Sequence, residues 1–275
     1  MTLTTPRFGA LIIGDEILSG RRTDKHLPKL IEILAARGLA LSYVHIVGDD
    51  PADISALLAR AFASADVVFS LGGIGATPDD HTRQCAAAAL GQALALHPQA
   101  RALILERIRD MSVQQGQPFD EKHPDTLRRL QMGVFPEHAS IIPNPYNRIP
   151  GFSCQGPGGG MVHFFPGFPV MAWPMIEAVL DEQYRSCFAV GAWIERSVIV
   201  YGAMEASLTP LMEQTEAAFP GAKVFSLPSV DHPQHGKHID LGVKGPVADA
   251  DAAYVFLLQG LRTAGCQLGP ELVRR

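Results

Sequence analysis

The chain is poor in cysteine, aromatic residues and charge. Only four cysteines occur in 275 residues, and Cys85, Cys154, Cys187 and Cys266 are too scattered to form a CxxC pair. That spacing excludes a disulfide framework and a zinc ribbon. Aromatics make up 7% and charged residues 19% against 47% hydrophobic ones, an ordinary globular balance that excludes disorder. No apolar run reaches the roughly 18–20 residues a membrane-spanning helix needs. The stretch from Met1 to Arg7 lacks the apolar segment of a secretory leader, so a cytoplasmic protein with no membrane partner is expected. Positive charge is scarce too: 16 bases face 19 acids up to Cys187, and 7 face 9 beyond it, for a net charge of −5. Without a basic arm or stripe, a nucleic-acid partner is not expected.

What is present is alternation. Phe8 to Ile13 is a short buried-strand run that stops at Gly14-Asp15-Glu16. Leu27, Leu30, Ile31 and Leu34 then repeat at helical spacing, with Gly38 as the stop. Leu39 to Val47 reads as a second strand, and Asp50-Pro51 opens a helix with Ile54, Leu57, Leu58 and Ala61 on one face. Val67 to Leu71 is a third strand. Strands and helices joined this tightly predict a mostly parallel sheet covered on both faces, a three-layer α/β domain over residues 1–187. Further helices are expected near 80–91, 97–112, 121–132 and 170–184, with strands flanking the glycine run 156–160. Beyond it, strands at 197–201, 223–227 and 238–243, a helix face marked by Leu208, Leu211, Met212 and Thr215, and a helix near 249–264 predict a small domain over 188–275. Its β-α-β-β-α order is that of a split α+β module.

Three loops can carry chemistry: Gly14 to Gly20, Gly72 to Asp80, and Pro166-Gly167-Phe168-Pro169. The first two sit at the C-terminal ends of expected parallel strands, the edge where open α/β sheets bind ligands. Gly72, Gly73 and Gly75 allow close backbone approach, and a helix start behind them suits a phosphate. No Gly-Lys-Ser/Thr follows, and the third glycine of GxGxxG is missing, so neither a P-loop nor a dinucleotide fingerprint is present. Thr77 with Asp80 also resembles a capping box, a purely structural alternative. Asp15, Glu16, Asp79 and Asp80 would repel one another if the two loops share an edge. A hard divalent ion bridging carboxylates to substrate phosphates resolves that repulsion.

In their order and spacing, GDEILSG at 14–20, VGDD at 47–50, GGIGATPDDHT at 72–82, NPYNRIPGF at 144–152 and FFPGFP at 164–169 resemble the CinA-type molybdopterin-binding proteins. The same domain is fused to FAD synthase in eukaryotes, and the resemblance covers about residues 8–185. It implies the α/β fold of the MogA/MoaB proteins and oligomerisation as a dimer or trimer. It also implies either metal-dependent pyrophosphatase chemistry on ADP-ribose- or FAD-like dinucleotides or, alternatively, molybdopterin adenylylation or binding without turnover. Under it, Asp79, Asp80 and Glu16 are the catalytic candidates. Asp80 and Asp15 are the ligands of a divalent ion (Mg, Mn or Co). Gly14, Asp15, Gly72, Gly73, Gly75, Thr77, Pro166 and Gly167 bind a nucleotide or pterin phosphate such as molybdopterin. Four positions depart from the family's pattern: Ala76 replaces a proline, Phe168 another proline, Ile149 a small or hydroxyl residue, and His26 an asparagine. The tail from Ser197 to Thr263 looks like CinA's small second domain, and the deamidase domain of full CinA has no counterpart in the chain.

Other candidates read as structural. His232, His235 and His238 lie within seven residues, in a Pro/Gly-containing connection without a partnering acid or cysteine pair; a hairpin loop is expected rather than a metal site. Gly242 to Gly245 spells the GxxG of KH domains but follows a strand, the wrong context for clamping nucleic acid. His81 is either a proton carrier or a solvated helix residue. Arg21, Arg22, Lys25 and Arg83 either neutralise a pyrophosphate or are simple surface bases, and Cys85 is expected in the core.

Overall fold

The computed structural model describes residues 6–274, so the N-terminal stretch inspected for a leader lies, up to residue 5, outside the described residues. The chain divides into two compact units between Phe188 and Ala189. In order, the first contains β1 (Phe8–Ile13), α1 (Asp15–Leu18), α2 (His26–Ala35), β2 (Leu41–Val47), α3 (Pro51–Ala63), β3 (Val67–Leu71), α4 (Thr82–Leu90) and β4 (Leu94–Leu96). It continues with α5 (Pro98–Gln115), α6 (Pro124–Leu130), β5 (Val134–Pro136), β6 (Ser140–Ile142), β7 (Gly151–Gln155), β8 (Met161–Phe165) and α7 (Pro169–Gln183).

Six strands form one sheet in the order β2-β1-β3-β8-β7-β6. The first four are parallel, β7 is the one reversed strand, and β6 pairs antiparallel with it at the end. Both β1 and β3 are buried at every position, as central strands covered on two faces must be. On one face Leu11, Ile13, Val68 and Phe164 pack against Ile54, Leu58 and Phe62 of α3 and Cys85 and Ala86 of α4. On the other, Ile12, Phe69 and Phe165 pack against Leu30 and Leu34 of α2 and Ile176 and Leu180 of α7. These are the three layers that the alternation predicts. The short β4 and β5 pair with each other apart from the main sheet; three residues each are too few to leave a periodic trace in the sequence.

The glycine run 156–160 turns β7 into β8 and closes a helix end. The Gly158 and Gly160 N–H groups donate to the carbonyls of Phe62 and Ser64 at 3.0 and 3.1 Å, satisfying acceptors that the end of α3 leaves open.

The second unit contains β9 (Trp193–Tyr201), α8 (Glu205–Ala218), β10 (Lys223–His232), β11 (Gly236–Pro246), α9 (Val247–Thr263) and β12 (Gln267–Arg274). Its sheet has the order β10-β11-β9-β12 and is antiparallel throughout. The expected β-α-β-β-α order is thus corrected to β-α-β-β-α-β. The extra strand escapes sequence patterning because Gly269-Pro270 interrupts it. Proline is tolerated there because β12 is an edge strand with an irregular register between Leu268 and Glu271. The Gly242–Gly245 string lies inside β11, a strand and not a nucleic-acid-clamping loop.

Candidate functional site

The parallel strands β1, β2 and β3 all deliver their C-terminal ends to the same edge, and the loops that follow them meet there. After β1 the chain turns at Gly14 into α1. The Asp15 N–H donates to Asp49 Oδ2 at 2.9 Å, and the Asp49 N–H donates back to Asp15 Oδ1 at 3.2 Å. This reciprocal pair locks the loop after β1 to the loop after β2.

After β3, Gly72 takes φ +108°, and a Cβ there would collide with the carbonyl of Ile13, so only glycine lets the chain leave the sheet this close to β1. The turn closes on itself: Asp80 Oδ2 accepts from the Thr77 N–H at 2.9 Å and from the Thr77 hydroxyl at 2.5 Å. Helix α4 starts only at Thr82, so the expected helix start at 80 is corrected. Thr77 and Asp80 close a turn ahead of the helix instead of capping it. Between Gly72 and this closure, the N–H groups of Gly73, Ile74, Gly75 and Ala76 donate to no acceptor among the described residues. Consecutive free amides on a glycine-rich turn form an anion-binding concavity. The Thr77 amide is taken by Asp80.

These loops line an open cleft of about 480 Å³, within the range that holds a small-molecule ligand. Gly14, Glu16, Gly72, Gly73, Gly75, Thr77, Asp79, Asp80, Pro166 and Gly167 all line it. Asp15 does not; its carboxylate is turned toward the Gly48–Asp49 turn. Asp49 lines the cleft instead, and its carboxyl is raised above the usual range, first by burial and then by the charges of Asp15, Glu16 and Asp79, with the Asp15 N–H opposing. Among the described residues, the only basic side chain lining the cleft is Arg22, 3.4 Å from Glu16. No three His, Cys, Asp or Glu side chains among the described residues are arranged to hold a metal ion.

Arg83 is not a surface base. It is buried and donates through Nη2 to the Gly75 carbonyl at 2.5 Å and through Nη1 to the Gln131 carbonyl. Burial lowers its pKa while Asp80 opposes the shift. It braces the glycine loop from behind. His26 is buried as well, with Nε2 3.1 Å from the Gly167 carbonyl, so this departure touches the third loop directly. Phe168 and Ile149 line the cleft, with Phe168 57% exposed. His81 lies outside it, and Cys85 is buried as expected.

Asn144, Asn147, Ile149 and Pro150 also line the cleft; the sequence marks this segment only through the NPYNRIPGF stretch of the family resemblance and the Ile149 departure. Buried Asn144 donates to Asn147 Oδ1 and to the Ile149 carbonyl, both at 2.9 Å. Arg148 takes φ +65°, a left-handed conformation uncommon outside glycine. Its guanidinium reaches Glu106 at 2.6 Å and Asp110 at 3.0 Å on α5. Two asparagines bracketing a tyrosine in NPYN was the available signal, because such residues favour turns that bond to their own backbone.

Residues 9–186 match the family described as "Probable molybdopterin binding domain". A protein of Aeropyrum pernix is 32% identical over 223 residues, 81% of this chain and 79% of that one. A CinA-like protein of Anaeromyxobacter dehalogenans is 36% identical over 160 residues, 58% of this chain but only 36% of that longer protein. Among solved structures, the protein CinA with unknown function from Thermoplasma acidophilum superposes with a TM-score of 0.54 at 27% identity, covering 64% of this chain and 98% of that one. The family match encloses every residue that lines the cleft, and with it the chain belongs to the CinA-type branch of the molybdopterin-binding domain proteins.

Proposed function

We propose that the cleft binds a phosphorylated small molecule, a pterin or nucleotide phosphate, and cleaves the pyrophosphate of an ADP-ribose- or FAD-like dinucleotide. The single observation that carries this reading is the row of four amides from Gly73 to Ala76, without acceptors among the described residues, in a cleft also lined by Glu16, Asp49, Asp79 and Asp80. Amides of this kind hold negative charge on a phosphoryl oxygen without reorganising. The acids need a different account, since bare carboxylates repel a phosphate.

The donor chemistry fits a hard divalent ion that uses one or two carboxylates and completes its shell with water and substrate oxygens; it does not fit a caged ion with three protein ligands. Glu16, Asp79 and the free Oδ1 of Asp80 are the oxygens the cleft offers it. When bound, such an ion polarises the phosphoryl group and lowers the pKa of a water. The chain's own part is to position: Arg22 offsets charge beside Glu16, the Asp15–Asp49 pair fixes the first acidic loop, and Arg83 holds the glycine loop open. Water adds to one phosphorus, the bridging P–O bond breaks, and AMP leaves.

The test is a screen of ADP-ribose and FAD against Mg²⁺, Mn²⁺ and Co²⁺, read out as AMP. Asp79→Asn and Glu16→Gln are expected to lower the rate by two to four orders of magnitude, roughly the worth of a positioned acid–base group, without changing the melting temperature. No AMP with any ion, alongside calorimetric binding of the same nucleotides, would replace hydrolysis with binding alone. The family's description names molybdopterin binding, and the second reading built on it is adenylylation of molybdopterin. Formation of an adenylylated pterin from ATP and molybdopterin would establish it.

A further inference from the structure

The loop Pro166-Gly167-Phe168-Pro169 holds its backbone firmly and leaves its one aromatic ring open. The Gly167 carbonyl lies 3.1 Å from His26 Nε2, and since a carbonyl only accepts, the imidazole donates there. Pro169 opens the first turn of α7 with its φ already fixed. The Phe168 carbonyl accepts from the Met171 and Ala172 N–H groups at 3.0 and 2.9 Å. Both sides of Phe168 are therefore anchored, yet more than half of its surface meets solvent. A lone exposed phenylalanine needs no explanation; one anchored in the lining of a binding cleft does.

The residue belongs to two adjoining cavities. Beside the cleft is a second hollow of about 240 Å³, walled by Ile12, Ile13, Ile17 and Leu71 together with the polar stretch 22–26. Phe168, Gly167 and Ile13 line both. Gly167 in turn abuts the loop that carries the amides. The Gly72 N–H donates to the Phe165 carbonyl at 3.1 Å, and a Cβ on Gly167 would stand 3.4 Å from the Gly72 Cα. The Phe168 Cα is one residue, about 3.8 Å, beyond Gly167. An aromatic face and apolar walls next to a row of amides match a ligand with a flat ring at one end and phosphate at the other.

We propose that Phe168 is the stacking platform for the heterocyclic base of that ligand. The base lies on the Phe168 ring against the Ile12–Leu71 hollow while the phosphate sits on the amides of Gly73 to Ala76. The inference rests on the phosphate site proposed above and adds its specificity: nucleotides are preferred over bare pyrophosphate. Stacking uses the π face that every base has, so purine and flavin rings are both accepted. The family's pattern has a proline at this position, which offers no π face, so the preference belongs to this chain.

The test compares AMP, FMN and inorganic pyrophosphate by calorimetry in Mg²⁺ buffer, on the full chain and on Phe168→Ala, Phe168→Leu and Phe168→Trp. Relative to pyrophosphate, Phe168→Ala should weaken at least one of the two nucleotides by about fivefold or more, the lower bound of base–aromatic stacking. Whichever nucleotide loses more carries the ring that seats on Phe168. Phe168→Trp should retain binding, and Phe168→Leu, with apolar bulk but no π face, should recover only part of it. In the unmodified protein the Phe168 ring-proton signals should shift with AMP or FMN and stay in place with pyrophosphate, a response that no folding defect imitates. Equal losses for all three probes, or no loss for either nucleotide, would overturn the stacking role and leave the phosphate site standing. Binding of none of the three to the unmodified protein would overturn the phosphate site and this inference with it.

Discussion

Asp80 commits one carboxylate oxygen to closing a turn and keeps the other toward the cleft. Its substitution therefore confounds structure with chemistry unless two variants are compared. Asp80→Asn retains an acceptor for Thr77 and should leave stability nearly unchanged. Asp80→Ala removes it and should cost about 1 kcal/mol by urea denaturation, the usual worth of such a local cap. Activity lost equally in both would belong to the charge; activity lost only in the alanine variant would belong to the turn. A second residue has its effect far from the cleft. His163 is buried between the Ser153 hydroxyl at 2.7 Å and the Tyr184 hydroxyl at 2.8 Å, and burial pushes it down to about 3. The unfolded chain takes up a proton near pH 6.5 while the native ring refuses it. Stability is thus lost as pH falls from about 6.5 toward about 3, by up to about 1.4 kcal/mol per pH unit. Urea midpoints measured at several pH values should fall less steeply for His163→Gln than for the unmodified protein.

At the scale of elements, the two glycine runs have opposite duties. The run at 156–160 donates the Gly158 and Gly160 amides to the end of α3, whereas the run at 72–75 keeps most of its own without acceptors among the described residues. The letters alone do not distinguish them, because what differs is the carbonyl each run meets in space. Substitutions should separate their costs. Gly72→Ala drives a Cβ into the Ile13 carbonyl at φ +108° and should destabilise by about 3 kcal/mol, whereas Gly159→Ala at φ +87° meets open space and should cost about 1 kcal/mol. Thermal or urea unfolding of both variants checks the difference. The helical stripe in 26–35 and the buried run 67–71 were legible in the sequence, as was the placement of two acidic loops at strand ends; their meeting on one edge depends on the strand order, which only the fold supplies. The Asp15–Asp49 exchange, the Arg83 brace and the bonds that hold the 144–150 segment were not. Each joins residues 34 or more positions apart or rests on a single side-chain bond, and sequence spacing carries no trace of such contacts.

On the scale of the whole molecule, each unit has its own core. Val198, Leu241, Tyr254 and Leu257 anchor the second, and every cleft-lining residue belongs to the first. A chain ending at Phe188 should therefore fold with a native near-ultraviolet spectrum and bind nucleotide phosphates with the affinity of the full chain. A large loss of affinity in that fragment would show that the second unit contributes to the site. The four free amides from Gly73 to Ala76 have one more consequence, which is kinetic. An N–H without an acceptor is open to solvent exchange, so these consecutive protons should trade for deuterium quickly while those of the flanking strand β3 remain protected. An anion seated on them would slow all four together. The loop would then report its own occupancy, revealing a ligand whose chemistry no activity assay had been designed to detect.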